Sequence, residues 1–306
     1  MSESDLSQLF ADHLAAYARQ LSELSRTHRV DGLVFGSGEA QYFFEDDQQL
    51  PFRADHHFLK TCPVDRPLLY TVFSANHERP TLLYWHQPNH WEETPELPDF
   101  ITACYDVKEV RSGEQLKKEL GALRSYAFVG SETHIGTPAT EPLKVILNTW
   151  RTQKSAFEVA AVQQANRIAL KGHQLAEEAF RAGGTELEIF HAYLKGCTAT
   201  ERDMPYNPII ACDEKGAVLH YQVKRPQRVP GQSLLIDAGY RCWGYASDIT
   251  RTYARQKDVF HSLIAAIDAM QQNLVESISE VTDFPKYHQH ARQGVASILV
   301  EHKLVD

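Results

Sequence analysis

The sequence predicts an α/β protein in two parts, one over residues 1–152 and one over 153–306. Helical and strand periods alternate through the first part, the signature of a small α/β domain. A long helical period then runs over 154–182 and stops at Gly183 and Gly184. After it come short strand-like runs broken by glycine, and two helical periods close the chain. At 306 residues the chain is long enough to bury two cores.

Taken in order, Leu6, Leu9, Phe10, Leu14, Tyr17, Leu21 and Leu24 form one apolar stripe, which predicts a helix over 5–28. A strand follows from Asp31 to Phe35, then a turn at Ser37 and Gly38. Residues 42–53 are aromatic and acidic, contain Pro51 and show no period. Strands over 68–73 and 81–85 read as a pair across residues 76–80. A helix over 113–125, a strand over 126–129 and a helix over 142–150 complete the first part, and residues 150–154 link it to the second. Thr185 followed by Glu188 has the form of a capping box, so a helix opens near 186 and runs to 196. Strands are expected over 209–212 and 218–223, separated by the turn residues 213–216. Helices over 259–278 and 287–302 end the chain.

Composition removes several classes of function. A net charge of −9 argues against nucleic acid or an anionic membrane as the main partner. No uninterrupted apolar run approaches the ~20 residues needed to span a bilayer, and the first residues lack the basic and apolar regions of a signal peptide. Cys62, Cys104, Cys197, Cys212 and Cys242 are odd in number and widely spaced, which disfavours a disulfide framework or a cysteine zinc site. A reducing cytoplasm is the expected compartment.

The chemistry concentrates in residues 233–253. They read as two strands: an apolar run over 234–236, a break at Gly239 and Gly244, and a second strand over 245–253. Alternation places Asp248, Thr250 and Thr252 on one side, and Asp237 faces Asp248 if the hairpin register allows it. Two carboxylates side by side among apolar residues repel each other unless a cation lies between them. Hard oxygen donors suit Mn or Mg, with Zn an alternative. The plain alternative is that Asp237, Ala238 and Gly239 are ordinary turn residues.

The longer pattern narrows this choice. Asp237, Ala238 and Gly239, followed eleven positions later by Asp248, Ile249, Thr250, Arg251 and Thr252, resemble the paired-aspartate segment of the pita-bread metallopeptidases. That family includes prolidases, aminopeptidases P and methionine aminopeptidases. Residues 44–47 followed by 51–53, and stretches 151–158, 205–211 and 218–221, resemble its bacterial Xaa-Pro dipeptidase (prolidase) branch. Residues 44–47 favour that branch over aminopeptidase P. The resemblance implies a small N-terminal α/β domain followed by a pita-bread α+β catalytic domain, here truncated. It implies two divalent ions, Mn foremost with Co, Zn or Mg as alternatives, that polarise a water attacking the bond before proline. By the same resemblance Asp237 and Asp248 are metal ligands, His220 is a catalytic residue beside the substrate, and Tyr206 lines the substrate pocket. Asp47 is expected to reach the active site of a second subunit in a homodimer, near the dipeptide's free amine. Read alone, His220 is a half-buried core histidine, Tyr206 packs a loop, Asp47 is a solvated or capping residue, and Thr250 and Thr252 are good strand formers.

The resemblance stops after Tyr253. The family adds a histidine from a glycine-rich loop and glutamates from a Glu-Pro-Gly turn and a last strand. Residues 254–306 instead hold His261, His288, His290 and His302 in helical contexts and no Glu-Pro-Gly. The sequence therefore corresponds to the first two-thirds of a prolidase, with an open strand edge and uncovered apolar faces. Two carboxylates without further ligands hold metal weakly, so the isolated chain is expected to be inactive and the complete protein to hydrolyse Xaa-Pro dipeptides. The alternatives are an aminopeptidase P-like enzyme and a non-catalytic peptide- or protein-binding module, the latter disfavoured by retention of both aspartates.

Overall fold

The computed structural model describes residues 3–86, 96–131, 137–228, 231–281 and 283–305, divided into two compact units. The first comprises Met1–Gln164 with Arg241–Ala246, the second Ala165–Tyr240 with Ser247–Asp306.

In the first unit, α1 (Glu3–His28) buries the predicted stripe of Leu6, Phe10, Leu14, Tyr17, Leu21 and Leu24. Around it come β1 (Gly32–Gly36), α2 (His56–Thr61), β2 (Leu69–Ser74), β3 (Thr81–Trp85) and α3 (Asp99–Thr102). They are followed by β4 (Asp106–Val110), α4 (Gly113–Gly121), β5 (Ala127–Val129), β6 (Thr137–Pro138) and α5 (Glu141–Thr152). The strands form a mixed sheet in the order β4-β3-β2-β1-β5-β6. Sequence reading missed α2, α3, β4 and β6. Each is too short for a period to emerge, and α2 begins because Asp55 accepts from the amides of His57 and Phe58.

The second unit starts within α6 (Ala156–Arg181), which leads to α7 (Glu186–Cys197). The Thr185–Glu188 capping box is present as expected: the Thr185 hydroxyl accepts from Glu188 N, and the Glu188 carboxylate accepts from Thr185 N. Next come β7 (Ile209–Cys212), β8 (Ser233–Asp237), β9 (Arg241–Cys242), β10 (Tyr245–Ala246), β11 (Thr250–Ala254), α8 (Val259–Glu276) and α9 (Phe284–Glu301). Strands β11, β8 and β7 form an antiparallel sheet in that order. One face, with Ile210, Cys212, Leu234 and Ile236, packs with Ala176, Phe180, Ile189 and Tyr193 of α6 and α7. The other face carries Ile209, Ala211 and Leu235, joined by Tyr221. Strand β11 lies at the sheet's edge, and Val259, Phe260, Val275 and Ile278 of the following helical segment are exposed.

Two strand assignments need correction. The strand expected over 245–253 is two: β10, paired with β9 in a hairpin of the first unit, and β11, paired with β8. Trp243 (φ 48°) and Gly244 (φ 79°) turn that hairpin with two left-handed residues, the conformation a two-residue hairpin needs. The strand expected over 218–223 does not form. Asp213 takes φ 53° and opens a 3-10 helix (Asp213–Ala217), and residues 219–220 are a turn with Leu219 exposed. Tyr221 and Arg225 bind the Glu186 carboxylate instead of entering a ladder.

Candidate metal centre

Register decides whether the two aspartates meet. Asp237 ends β8 opposite Thr250 of β11, and directly opposed residues on antiparallel strands share a face. Asp248, two residues before Thr250, extends the same alternation. Beyond the named strands the chains stay close: Ala238 N donates to Ile249 O at 3.1 Å and Ser247 N to Tyr240 O at 3.0 Å. Gly239 permits this approach, because a Cβ there would lie 2.0 Å from Ser247 O.

The carboxylates converge on one hydroxyl. Tyr206 Oη lies 2.6 Å from Asp237 Oδ1 and 2.9 Å from Asp248 Oδ1. A phenol has a single proton, so it donates to one carboxylate at a time. Burial, then the two neighbouring aspartates, push the Tyr206 phenol well above its ordinary value. The resemblance puts Tyr206 in a substrate pocket, and its hydroxyl sits on the aspartate pair.

Two groups that sequence reading missed hold the backbone just past Asp237. His173 Nε2 hydrogen-bonds Ala238 O at 3.0 Å, and Tyr193 Oη donates to Gly239 O at 2.9 Å. Burial holds His173 below the ordinary histidine value, so it stays neutral and gives Nε2–H to the carbonyl. Helical spacing does put His173 on one face with Ala169, Ala176 and Phe180, all buried.

The other expected site residues sit on exposed turns or on β11. His220 is exposed on the turn after the 3-10 helix. Asp47 is exposed in a turn of the first unit, between the bridged residues Tyr42 and Gln49. Thr250 is exposed and Thr252 half-buried on the aspartate side of β11. Among the described residues, no group of three or more His, Cys, Asp or Glu side chains could hold a metal ion. The aspartate pair offers hard oxygen donors that fit part of a divalent ion's shell, which takes about four to eight ligands. Beside Asp248 an open concavity of about 1100 Å³ is lined by β11 and α8, including Thr250, Thr252, Phe260 and His261.

Comparison with known proteins adds a lineage to this geometry. Residues 160–304 match the sequence profile of metallopeptidase family M24, and residues 8–148 that of the Xaa-Pro dipeptidase N-terminal domain. The Xaa-Pro dipeptidase of Shewanella piezotolerans is 33% identical over 309 residues, covering 97% of this chain and 69% of that protein. The Aeromonas hydrophila Xaa-Pro dipeptidase is 34% identical over 315 residues, covering 99% and 71%. Among solved structures, zinc-substituted Escherichia coli aminopeptidase P in complex with product superposes with a TM-score of 0.67 at 19% identity, covering 94% of this chain and 74% of that one. Proline aminopeptidase P II from Yersinia pestis gives 0.67 at 20% identity with the same coverage. At such identities these two structures speak for the fold.

Proposed function

The chain belongs to metallopeptidase family M24, and from that premise we propose that its function is metal-dependent hydrolysis of Xaa-Pro dipeptides, with Asp237 and Asp248 as metal ligands. The observation that carries the reading is the convergence of both carboxylates on the Tyr206 hydroxyl. A binding module has no use for such a pair, whereas a metal centre needs it. The dipeptidase reading stands ahead of aminopeptidase P because the dipeptidases match at 33–34% identity and the N-terminal profile is theirs.

A bound divalent ion would supply a water acidified toward neutrality and a Lewis acid for the scissile carbonyl. The chain's own part is to fix the two carboxylates, through the β8–β11 register, His173 and Tyr193. His220 serves as a hydrogen-bonding partner of the substrate from its turn. Tyr221, its neighbour, packs with Ile209 and Leu235 on the face that bears Asp237. Mn suits an all-oxygen pair, and the centre takes two ions. A homodimer in which Asp47 meets the dipeptide amine suits that residue's exposed turn. Five free cysteines suit a reducing cytoplasm, and a boundary at 152/153 falls in the gap between the two profile matches.

The test is Mn binding by the dialysed protein. Asp237→Asn and Asp248→Asn should each weaken it at least about tenfold, since each removes a charged oxygen ligand; unchanged affinity in both would overturn the assignment. Any Mn-stimulated release of proline from Leu-Pro should vanish in Asp248→Asn, and release that survives that change would count against the peptidase.

A further inference from the structure

Glu186 makes more hydrogen bonds than a helix-starting glutamate needs. Its side chain is fully buried at the first position of α7. Its Oε1 accepts from Cys212 N at 2.9 Å and Arg225 Nη2 at 2.7 Å. Its Oε2 accepts from Tyr221 Oη and Arg225 N, both at 2.8 Å. These donors come from the start, the middle and the end of one segment, 212–225, and the middle donor is the residue after His220. A single carboxylate thus closes a loop, 213–225, that has no strand partner among the described residues. Arg225 adds a bond to Cys212 O at 3.0 Å and an ion pair with Glu214 at 3.2 Å, tying the loop's end to its start. Lys224 lies over the Phe190 ring of α7 at 5.1 Å. On the far side, Tyr221 packs with Ile209, Ala211 and Leu235, and Leu235 and Asp237 share a face two residues apart.

We propose that Glu186 is a positioning residue that sets the His220 turn against the aspartate-bearing face of the β11-β8-β7 sheet. This rests on the reading that His220 and the aspartate pair act on one substrate. Glu186 touches neither; it acts through Tyr221 and Arg225. An alternative assignment, a buried anion that only stabilises the core, differs in consequence: its loss would loosen sheet and turn together.

The experiment compares wild type with Glu186→Ala, Glu186→Gln and Tyr221→Phe. Limited trypsin digestion reads the loop at Lys215 and Lys224, while amide exchange reads β8 and β11. In Glu186→Ala, cleavage at these lysines should rise at least about tenfold with strand protection retained, as for a local opening. The His220 imidazole resonance, followed by NMR, should change shift and sharpen as the turn loosens, and its relaxation by added Mn should weaken. Glu186→Gln, which keeps the shape and part of the acceptor set, should fall between. Tyr221→Phe deletes only the bond beside His220 and should alter the His220 signal without changing strand protection; it also decides the matter if Glu186→Ala does not fold. An unchanged His220 signal and cleavage rate in the folded variants, or strand protection lost in step with the loop, would overturn the proposal. If Mn relaxes no resonance near Asp237 and Asp248 even in wild type, the metal reading falls, and the cleavage and shift data still judge Glu186.

Discussion

The Tyr206 hydroxyl is a competitor for any ion that the aspartates bind, since it takes up one Oδ1 lone pair with its only proton. In the metal-free protein that proton also relieves the repulsion between the carboxylates. Tyr206→Phe removes both effects. The metal-free variant should melt at a lower temperature, and Mn should bind it more tightly by roughly 1.5–3 kcal/mol, at least about tenfold in Kd, the worth of one hydrogen bond to a charged acceptor. Calorimetric titration checks the affinity and a melt with and without Mn checks the compensation; weaker binding in the variant would show that the hydroxyl supports the ligands. Asp237 and Asp248 were legible in the sequence through the resemblance of 237–239 and 248–252 to a metallopeptidase segment; strand alternation allowed them to face each other only if the hairpin register suited. The bond of Tyr206 to both carboxylates and the role of Glu186 were not. Tyr206 precedes an Asn207-Pro208 step in a loop, where no period operates, and Glu186 looks in sequence like an ordinary acidic residue in a first helical turn.

At the scale of elements, the β9–β10 hairpin shows how a local rule and tertiary packing combine. Trp243 packs near Phe157 and Phe100, Tyr245 Oη donates to Glu158 at 2.7 Å, and Arg241 pairs with Asp65. Glu158 is buried and also pairs with Lys60 at 2.9 Å, so the hairpin tip rests on a desolvated ion pair. Gly244 is needed twice: for φ 79°, and because a Cβ would sit 3.2 Å from Leu59 Cδ2. Gly244→Ala should therefore destabilise the protein by about 1–2 kcal/mol, seen as a lower urea midpoint; an unchanged midpoint would mean that the turn adapts freely. Legibility follows the same division. The α1 stripe and the Thr185 capping box were readable because each depends on residues within a few positions. The failed strand at 218–223 was not, because Glu186, more than thirty positions away, draws Tyr221 and Arg225 out of any ladder.

Across the whole molecule, groups buried in an unfavourable charge state link stability to pH. His57 is buried, and its Nδ1 has no hydrogen-bond partner among the described residues. Burial, with His56 adjacent, lowers it from 6.5 to about 4. Burial likewise lowers His13 and His173. A histidine whose folded value lies below its unfolded one binds fewer protons when folded, so stability falls as pH drops from about 6.5 to 4 and is flat below that. For His57 the loss is roughly 3 kcal/mol. Burial opposes ionisation of Glu158 and Glu186 too, but their hydrogen bonds from Ser155, Lys60 and Tyr245, and from Arg225, Cys212 and Tyr221, outweigh it and hold both below 4.5. A depressed carboxylate stabilises the fold above its unfolded value, and that contribution is lost as pH falls through the folded value, which extends the acid limb below 4.5. On the alkaline side burial raises the Cys212 thiol from 9.0 to about 12 and that of Cys242 to about 11. The unfolded chain then releases protons that the folded one keeps, and stability falls above pH 9. Urea midpoints should thus trace a dome, level between about 7 and 9. Trp85, Trp150 and Trp243 lie in the first unit with His57, so tryptophan fluorescence follows the unit that carries this titration. His57→Gln should make the limb between 6.5 and 4 shallower in that signal and leave the alkaline limb in place; a limb as steep as in wild type would assign the acid sensitivity to other groups.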